Sequence, residues 1–292
     1  MKIAAAAFPI DWHNRWNDYV GKLRVWVRTA SEQGAEILVF PEHGALELAS
    51  LAGEDNAKDL RRIVDAVTAR IKDVDDLHAS LAREFKVHVL AASGPIRADG
   101  AVVNRARLFA PDGSQGHQDK VMLSRFEREQ WGLEAGRALR VFETALGRIG
   151  VLVGYDAEFP LLGRALAEAG AELLLVPSCA DGPRAYWRVR TGAAARALEN
   201  QCAVVQAVTV GEAGWLPPAA RNTGAGGVFG PPDLGFPEDG VVAVGKMDAA
   251  GWVFAEVSAE AVRKVRAEGA VRTLADWPRQ AAVAVETVAL GS

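Results

Sequence analysis

Residues 149–160 read IGVLVGYDAEFP: an apolar run from Ile149 to Val153 breaks at Gly154 into a polar corner that ends on Pro160. A short, continuous apolar run closed by such punctuation is a strand buried on both faces, as in parallel sheets covered by helices. Pro160 suits the first turn of a following helix, because proline is tolerated there and disfavours helical geometry in the residue before it. Enzymes mount nucleophiles at strand-end corners of this kind. Here the corner residue is a glycine, so no side chain is available to react.

Working outward, the same strand and helix alternation extends along the chain. Lys2–Phe8 reads as a buried strand, and Asn14–Gln33 as an amphipathic helix with Trp16, Val20, Leu23, Val27 and Ala30 at helical spacing, closed by Gly34. Glu36–Phe40 is a second doubly buried strand stopped by Pro41. Helices are predicted over 58–72 and 76–85, a strand over 87–92, and a hairpin from 101–109 and 115–120 about Pro111-Asp-Gly113. Beyond 147–153 come a helix at 160–169, a strand at 172–176 and a long helix at 184–200. Strands at 202–208, 226–229, 241–244 and 252–257 and a helix at 259–268 follow. Hairpins mixed with crossovers, and no linker between self-contained halves, predict one layered α/β domain over residues 1–292.

Composition narrows the function classes. Hydrophobic residues make up 50% and charged residues 24% of 292, the balance of a globular chain. Lys and Arg total 33 against 37 acidic residues, a net charge of -4 that argues against nucleic acid as a partner. The apolar stretch near the N-terminus meets Pro9 and Asp11 too soon for a membrane span or a signal segment. Two cysteines, Cys179 and Cys202, make no disulfide framework, which suits a reducing cytoplasm. The five histidines lack metal-ligand spacing and no CxxC or GxSxG occurs, so neither a metal, a cofactor nor a serine nucleophile is expected. The Gly- and Pro-rich piece 222–237 leads into a strand instead of opening a helix, so it reads as turns and not as a phosphate cradle.

Polar residues at the ends of apolar strands remain. Glu42 follows the strand ending at Phe40, Lys120 ends another, Glu127 lies in the loop beyond it, and Gly154-Tyr-Asp ends a third. Taken singly, each charge reads as a solvated surface group. Taken together they mark a crevice, because the carboxyl ends of parallel strands converge on one edge.

The order of these motifs resembles the nitrilase superfamily of carbon-nitrogen hydrolases over almost the whole chain. The resemblance rests on the EILVFPE corner, the strand ending at Lys120, GRIGVLVGYDAEFP at 147–160, the AARALENQC helix end at 194–202, and the closing Trp-x-x-Ala-Glu-Val element. It implies a four-layer αββα sandwich that assembles into homodimers or larger oligomers, with the tail from about residue 270 contributing to subunit contacts. It assigns Glu42 as general base, Lys120 as the cation facing the oxyanion, and Glu127 as the second glutamate, which orients substrate and lysine. The nucleophilic cysteine of the family falls at Gly154, Tyr155 would lend its backbone N–H to the oxyanion, and Asp156 would brace the corner. The implied substrate is a small amide, nitrile or N-carbamoyl compound.

Acyl transfer needs a nucleophile, a base and groups to hold the oxyanion; with a thiol missing, no thioester forms. Cys179, one strand over, would have to reach across a strand spacing of about 4.8 Å, so it is expected to line the pocket. Tyr186 and Trp187 at the start of the long helix are either pocket or helix core. Two readings of Gly154 stand side by side. The chain is an amidase whose nucleophile has been lost, or a natural pseudoenzyme that binds a ligand or serves an assembly.

Overall fold

Residues Lys2–Pro9 contain four consecutive alanines, weak strand formers, and yet make a central strand. Position overrides propensity: small side chains suit a strand hemmed in by three others. The protein's structure, a computed structural model, describes residues 1–290. Its strands are β1 (Lys2–Pro9), β2 (Ile37–Val39), β3 (His88–Ala98), β4 (Ala101–Phe109), β5 (Gln115–Asp119), β6 (Val141–Thr144), β7 (Gly147–Val151), β8 (Leu173–Ser178), β9 (Ala203–Glu212), β10 (Arg221–Asn222), β11 (Gly227–Phe229), β12 (Val241–Val244) and β13 (Gly251–Glu256). Its helices are α1 (Trp16–Glu32), α2 (Glu54–Ala57), α3 (Leu60–Phe85), α4 (Pro160–Glu168), α5 (Pro183–Asn200), α6 (Ala259–Glu268) and α7 (Thr273–Asp276).

The strands form one hydrogen-bonded network in the order β5-β4-β3-β2-β1-β9-β8-β7-β6. From β3 to β7 all neighbours are parallel, so their carboxyl ends share one edge. Two antiparallel steps through β4 return β5 to that direction, and Lys120 emerges on the same edge. The network forks at its middle: β1 also pairs with β13, and β9 also pairs with β11. Helices α1 and α3 lie over one half and α4 and α5 over the other. A flat sheet would part β2 from β7 by four strand spacings, about 19 Å. Yet residues just past these strands touch, because the network folds over at β1 and β9 and the halves face each other. Its outer strands meet too, with Phe142 of β6 against Gly116 of β5 and the Gln118 amide bonding Ala138 and Arg140. This is the expected αββα layering, with the two sheets fused at one corner.

Element boundaries depart from the sequence reading where local punctuation misleads. The helices expected at 58–72 and 76–85 are the single α3. Its buried stripe Ile63, Val67, Val74, His78, Leu81 runs unbroken, Asp73 and Asp76 face outward while Asp75 pairs with the buried Arg107 at 2.6 Å, and Asp59 caps the start by accepting from Arg61 and Arg62 N–H. Strand β3 continues six residues beyond Ala92, past Gly94-Pro95, by absorbing a register shift between Ala91 and Gly94. Missed altogether were the buried 3-10 run Gly44–Ala52, the π-helical turn Glu127–Trp131 and the strand β6.

The corner after β7 is stitched down by Asp156, which is fully buried. Its carboxylate accepts the N–H groups of Val153 at 3.0 Å, Met122 at 2.6 Å and Val121 at 3.1 Å, tying the corner to the chain just past Lys120. Helix α5 closes over it: Arg196 donates to the Ala157 carbonyl at 2.8 Å, and a Cβ on Gly192 would lie 2.6 Å from that same oxygen.

Two tests follow from this packing. Gly192→Ala forces main chain apart and is expected to destabilise by about 1–3 kcal/mol, read as a lower urea midpoint. Burial pushes the Asp156 carboxyl up to about 6 against the pull of its N–H donors. A folded-state pKa above the unfolded one gives stability that is complete at low pH and fades as pH rises through 6. The stability of wild type relative to Asp156→Asn should therefore fall by at most about 3 kcal/mol between pH 4 and 6 and stay level above 7. A difference that rises over that window would refute the assignment.

Candidate active site

Lys120, Glu42 and Glu127 come from three separate segments and meet at one ammonium. Lys120 Nζ donates to Glu42 Oε1 at 2.7 Å and to Glu127 Oε1 at 2.8 Å. All three are 2–3% exposed. Each is delivered by its element: Glu42 lies three residues past β2, Lys120 immediately past β5 with its N–H on the Asn104 carbonyl, and Glu127 opens the π-helical turn. The second oxygen of Glu127 accepts the Ser124 N–H at 2.8 Å, which fixes the loop between Lys120 and Glu127.

Electrostatics locks the charge states. Burial works against the Lys120 ammonium, but the carboxylates of Glu42 and Glu127 outweigh it, and the net shift is upward. Burial likewise works to protonate Glu127, but the hydrogen bond from His43 and the Lys120 charge hold its carboxyl far below the ordinary range. The ammonium and the Glu127 carboxylate stay charged because each offsets the other's burial.

Two residues that the sequence reading did not place in the site complete the cluster. Asn104, buried in the middle of β4, donates to Glu42 Oε1 at 3.0 Å. His43 has a φ of 60°, which turns its ring back over the acids, and Nε2 lies 3.5 Å from Glu127 Oε1 and 3.7 Å from Glu42 Oε1. Trp131 packs against the ring at 5.3 Å. An asparagine within an apolar strand and a histidine beside a strand-end glutamate were the available signals. His43 was set aside for its spacing, yet Glu42, His43 and Glu127 offer donor atoms within 4.8 Å of one another. That geometry does not make a metal centre here, because the Lys120 ammonium already bridges the same two carboxylate oxygens.

Gly154 adjoins this cluster, with φ at +51°. A Cβ built there would lie 2.2 Å from Glu42 Oε2, so that oxygen stands in the space a side chain would need. On the same oxygen, Cys179 donates its main-chain N–H at 3.2 Å. The Cys179 thiol turns to Asn222 Oδ1 at 3.3 Å, and burial, reinforced by the Glu42 carboxylate, pushes it up to about 12. It is therefore a protonated thiol at neutral pH. Tyr155 is half-buried with its ring edge-on to Phe159 at 4.8 Å. Tyr186 is buried in a small core with Ala180 and Val208, whereas Trp187 is 48% exposed. Cys202 is buried core.

The arrangement offers an ionised carboxylate, a fixed ammonium and main-chain N–H groups around a corner without a nucleophile. Comparison with known proteins points the same way. The chain is 32% identical over 264 residues to the probable hydrolase YhcX of Bacillus subtilis, which covers 90% of this chain and 51% of that protein. A nitrilase of Pyrococcus abyssi is 31% identical over 189 residues, 64% of this chain and 66% of its own. The chain thus spans about half the length of the first of these relatives. Among solved structures, the Caenorhabditis elegans NitFhit protein superposes with a TM-score of 0.73 at 24% identity, over 91% of this chain and 62% of that one. A carbon-nitrogen hydrolase of Helicobacter pylori G27 does so at 0.74 and 19%, over 97% and 95%, a likeness of fold. No helix among the described residues is long and apolar enough to cross a membrane. The family model described as carbon-nitrogen hydrolase matches residues 2–247, continuously from β1 through the Glu42, Lys120 and Gly154 segments, and the chain belongs to that family.

Proposed function

We propose that this site binds a small amide-like compound, an amide, nitrile or N-carbamoyl group, as a nitrilase- or amidase-type carbon-nitrogen hydrolase, and that Gly154 leaves it unable to form a covalent acyl intermediate. The observation that carries this reading is the Lys120 ammonium held at 2.7 and 2.8 Å between two buried carboxylates beside the corner. Such a cluster is costly to desolvate, and an apolar replacement is often at least as stable, so its presence marks a site of use. In this reading Lys120 and the Tyr155 N–H face the developing oxyanion, Glu127 holds Lys120 in place, and Glu42 handles the proton. With Gly154 the chain turns substrate over slowly if at all, since loss of a covalent nucleophile costs several orders of magnitude while the oxyanion contribution remains. In the second reading, a pseudoenzyme, the same groups hold a ligand without turnover; the absence of any side chain at residue 154 favours it.

Restoring the sulfur separates the two. In Gly154→Cys the new Cβ makes Glu42 Oε2 withdraw by about 1 Å, and an L-residue at positive φ costs roughly 1–2 kcal/mol of stability. Incubated with a panel of small amides, nitriles and N-carbamoyl compounds, this variant is expected to gain an acyl mass in intact-protein spectra and to turn over at least one member. A well-folded variant with neither adduct nor turnover on any member would sink the hydrolase reading.

A further inference from the structure

The two oxygens of Glu42 have different surroundings. Oε1 is held by Lys120 at 2.7 Å and Asn104 at 3.0 Å. Among the described residues Oε2 has one donor, the Cys179 N–H at 3.2 Å, and it lies 2.2 Å from where a Cβ of residue 154 would be. Oε2 is thus the less satisfied oxygen, and it is seated where a Cβ at residue 154 would have to be. The alternative nucleophile is spoken for, since the Cys179 thiol donates to Asn222 and is held protonated by burial.

We propose that the empty position at Gly154 is the seat of the Glu42 carboxylate, and that Glu42 Oε2 there drives direct, one-stage attack of water on an acyl compound with a readily expelled nitrogen, such as an anilide. This rests on the reading that the site binds amide-like carbonyls. Glu42 Oε2 takes a proton from water as the water oxygen bonds to the carbonyl carbon, and the C=O π pair moves onto oxygen opposite Lys120. The tetrahedral adduct then collapses: the carbonyl re-forms, the C–N bond breaks with its electron pair staying on nitrogen, and the nitrogen takes the proton back from Glu42. The products are a carboxylic acid and an amine, and the carboxylate is regenerated. No group on the protein is acylated. Anilides are the favoured class because expulsion of nitrogen is not divided between two smaller steps, so the leaving group's own ability weighs heavily.

The inference makes glycine at 154 a requirement of this route instead of a mere loss. Gly154→Ala adds no nucleophile but evicts Oε2, so it should fall in activity where Gly154→Cys rises. The test uses the full chain and a short-chain acyl p-nitroanilide. Wild type should release nitroaniline linearly from the first turnover with no acyl mass on the protein. Glu42→Gln, which keeps the shape and removes the base, should lower the rate by about 100-fold or more. Gly154→Ala should lower it by about 100-fold, the cost of shifting a reacting group by an ångström, and if that variant fails to fold the Glu42→Gln result stands in its place. A burst accompanied by an acyl adduct, a Gly154→Ala rate equal to wild type, or an unchanged Glu42→Gln rate would each overturn the proposal. Saturable binding of the anilide without hydrolysis would also overturn it while leaving the binding reading intact. No saturable binding of the anilide, acetamide or an N-carbamoyl compound would remove both.

Discussion

One ammonium organises this molecule's interior. Lys120 Nζ joins carboxylates that arrive from segments 78 and seven residues away, and every one of the three charges is buried. Removing the ammonium would leave two carboxylates uncompensated in a low-dielectric place, a loss of about 3–5 kcal/mol, so both acids depend on Lys120. That requirement dictates the sheet. Only a network folded over at β1 and β9 brings the loop after β2 against the corners after β7 and β8. The Asp156 stitch to Val121 and Met122 then fixes the Lys120 strand end to the Gly154 corner.

The scaffold around the trio is built for close approach. Alanines in β1 let flanking strands and layers come near, and Arg196 on α5 reaches the Ala157 carbonyl to hold the corner from outside. The result is a site whose acids each take a main-chain bond besides the ammonium. Glu127 is held by the Ser124 N–H, Glu42 by the Cys179 N–H, and Asp156 by three N–H groups. A rigid donor set of this kind favours electrostatic work over large rearrangement.

Much of this was legible in the residues. Apolar runs such as Ile149–Val153 and Ile37–Val39 identify buried strands, and punctuation by Pro41 and Gly154 identifies the edge at which chemistry collects. Single-sequence patterns do not carry the fold-over, because nothing in one strand states what faces it. For the same reason Asn104 went unnoticed and His43 was set aside: each becomes part of the site only when β4 and the turn after β2 are laid against Lys120. The split predicted within α3 failed because a cluster of aspartates looks like a loop when neither their exposure nor the partner of Asp75, Arg107 on β4, is known. Nor could the glycine at 154 reveal that Glu42 fills the space beside it, since that is a relation between two loops.

The curl of the sheet leaves a joint where its first and last strands meet. At that joint β5 and β6 share no ladder; the Gln118 side chain bonded to Ala138 and Arg140, the Phe142 ring over Gly116, and the Gly136 N–H on the Lys120 carbonyl at 2.7 Å do the fastening. Lys120 is the next residue after β5. Lys120 therefore closes the curl with its carbonyl while its side chain gathers the acids, so the seam and the charged trio share one residue.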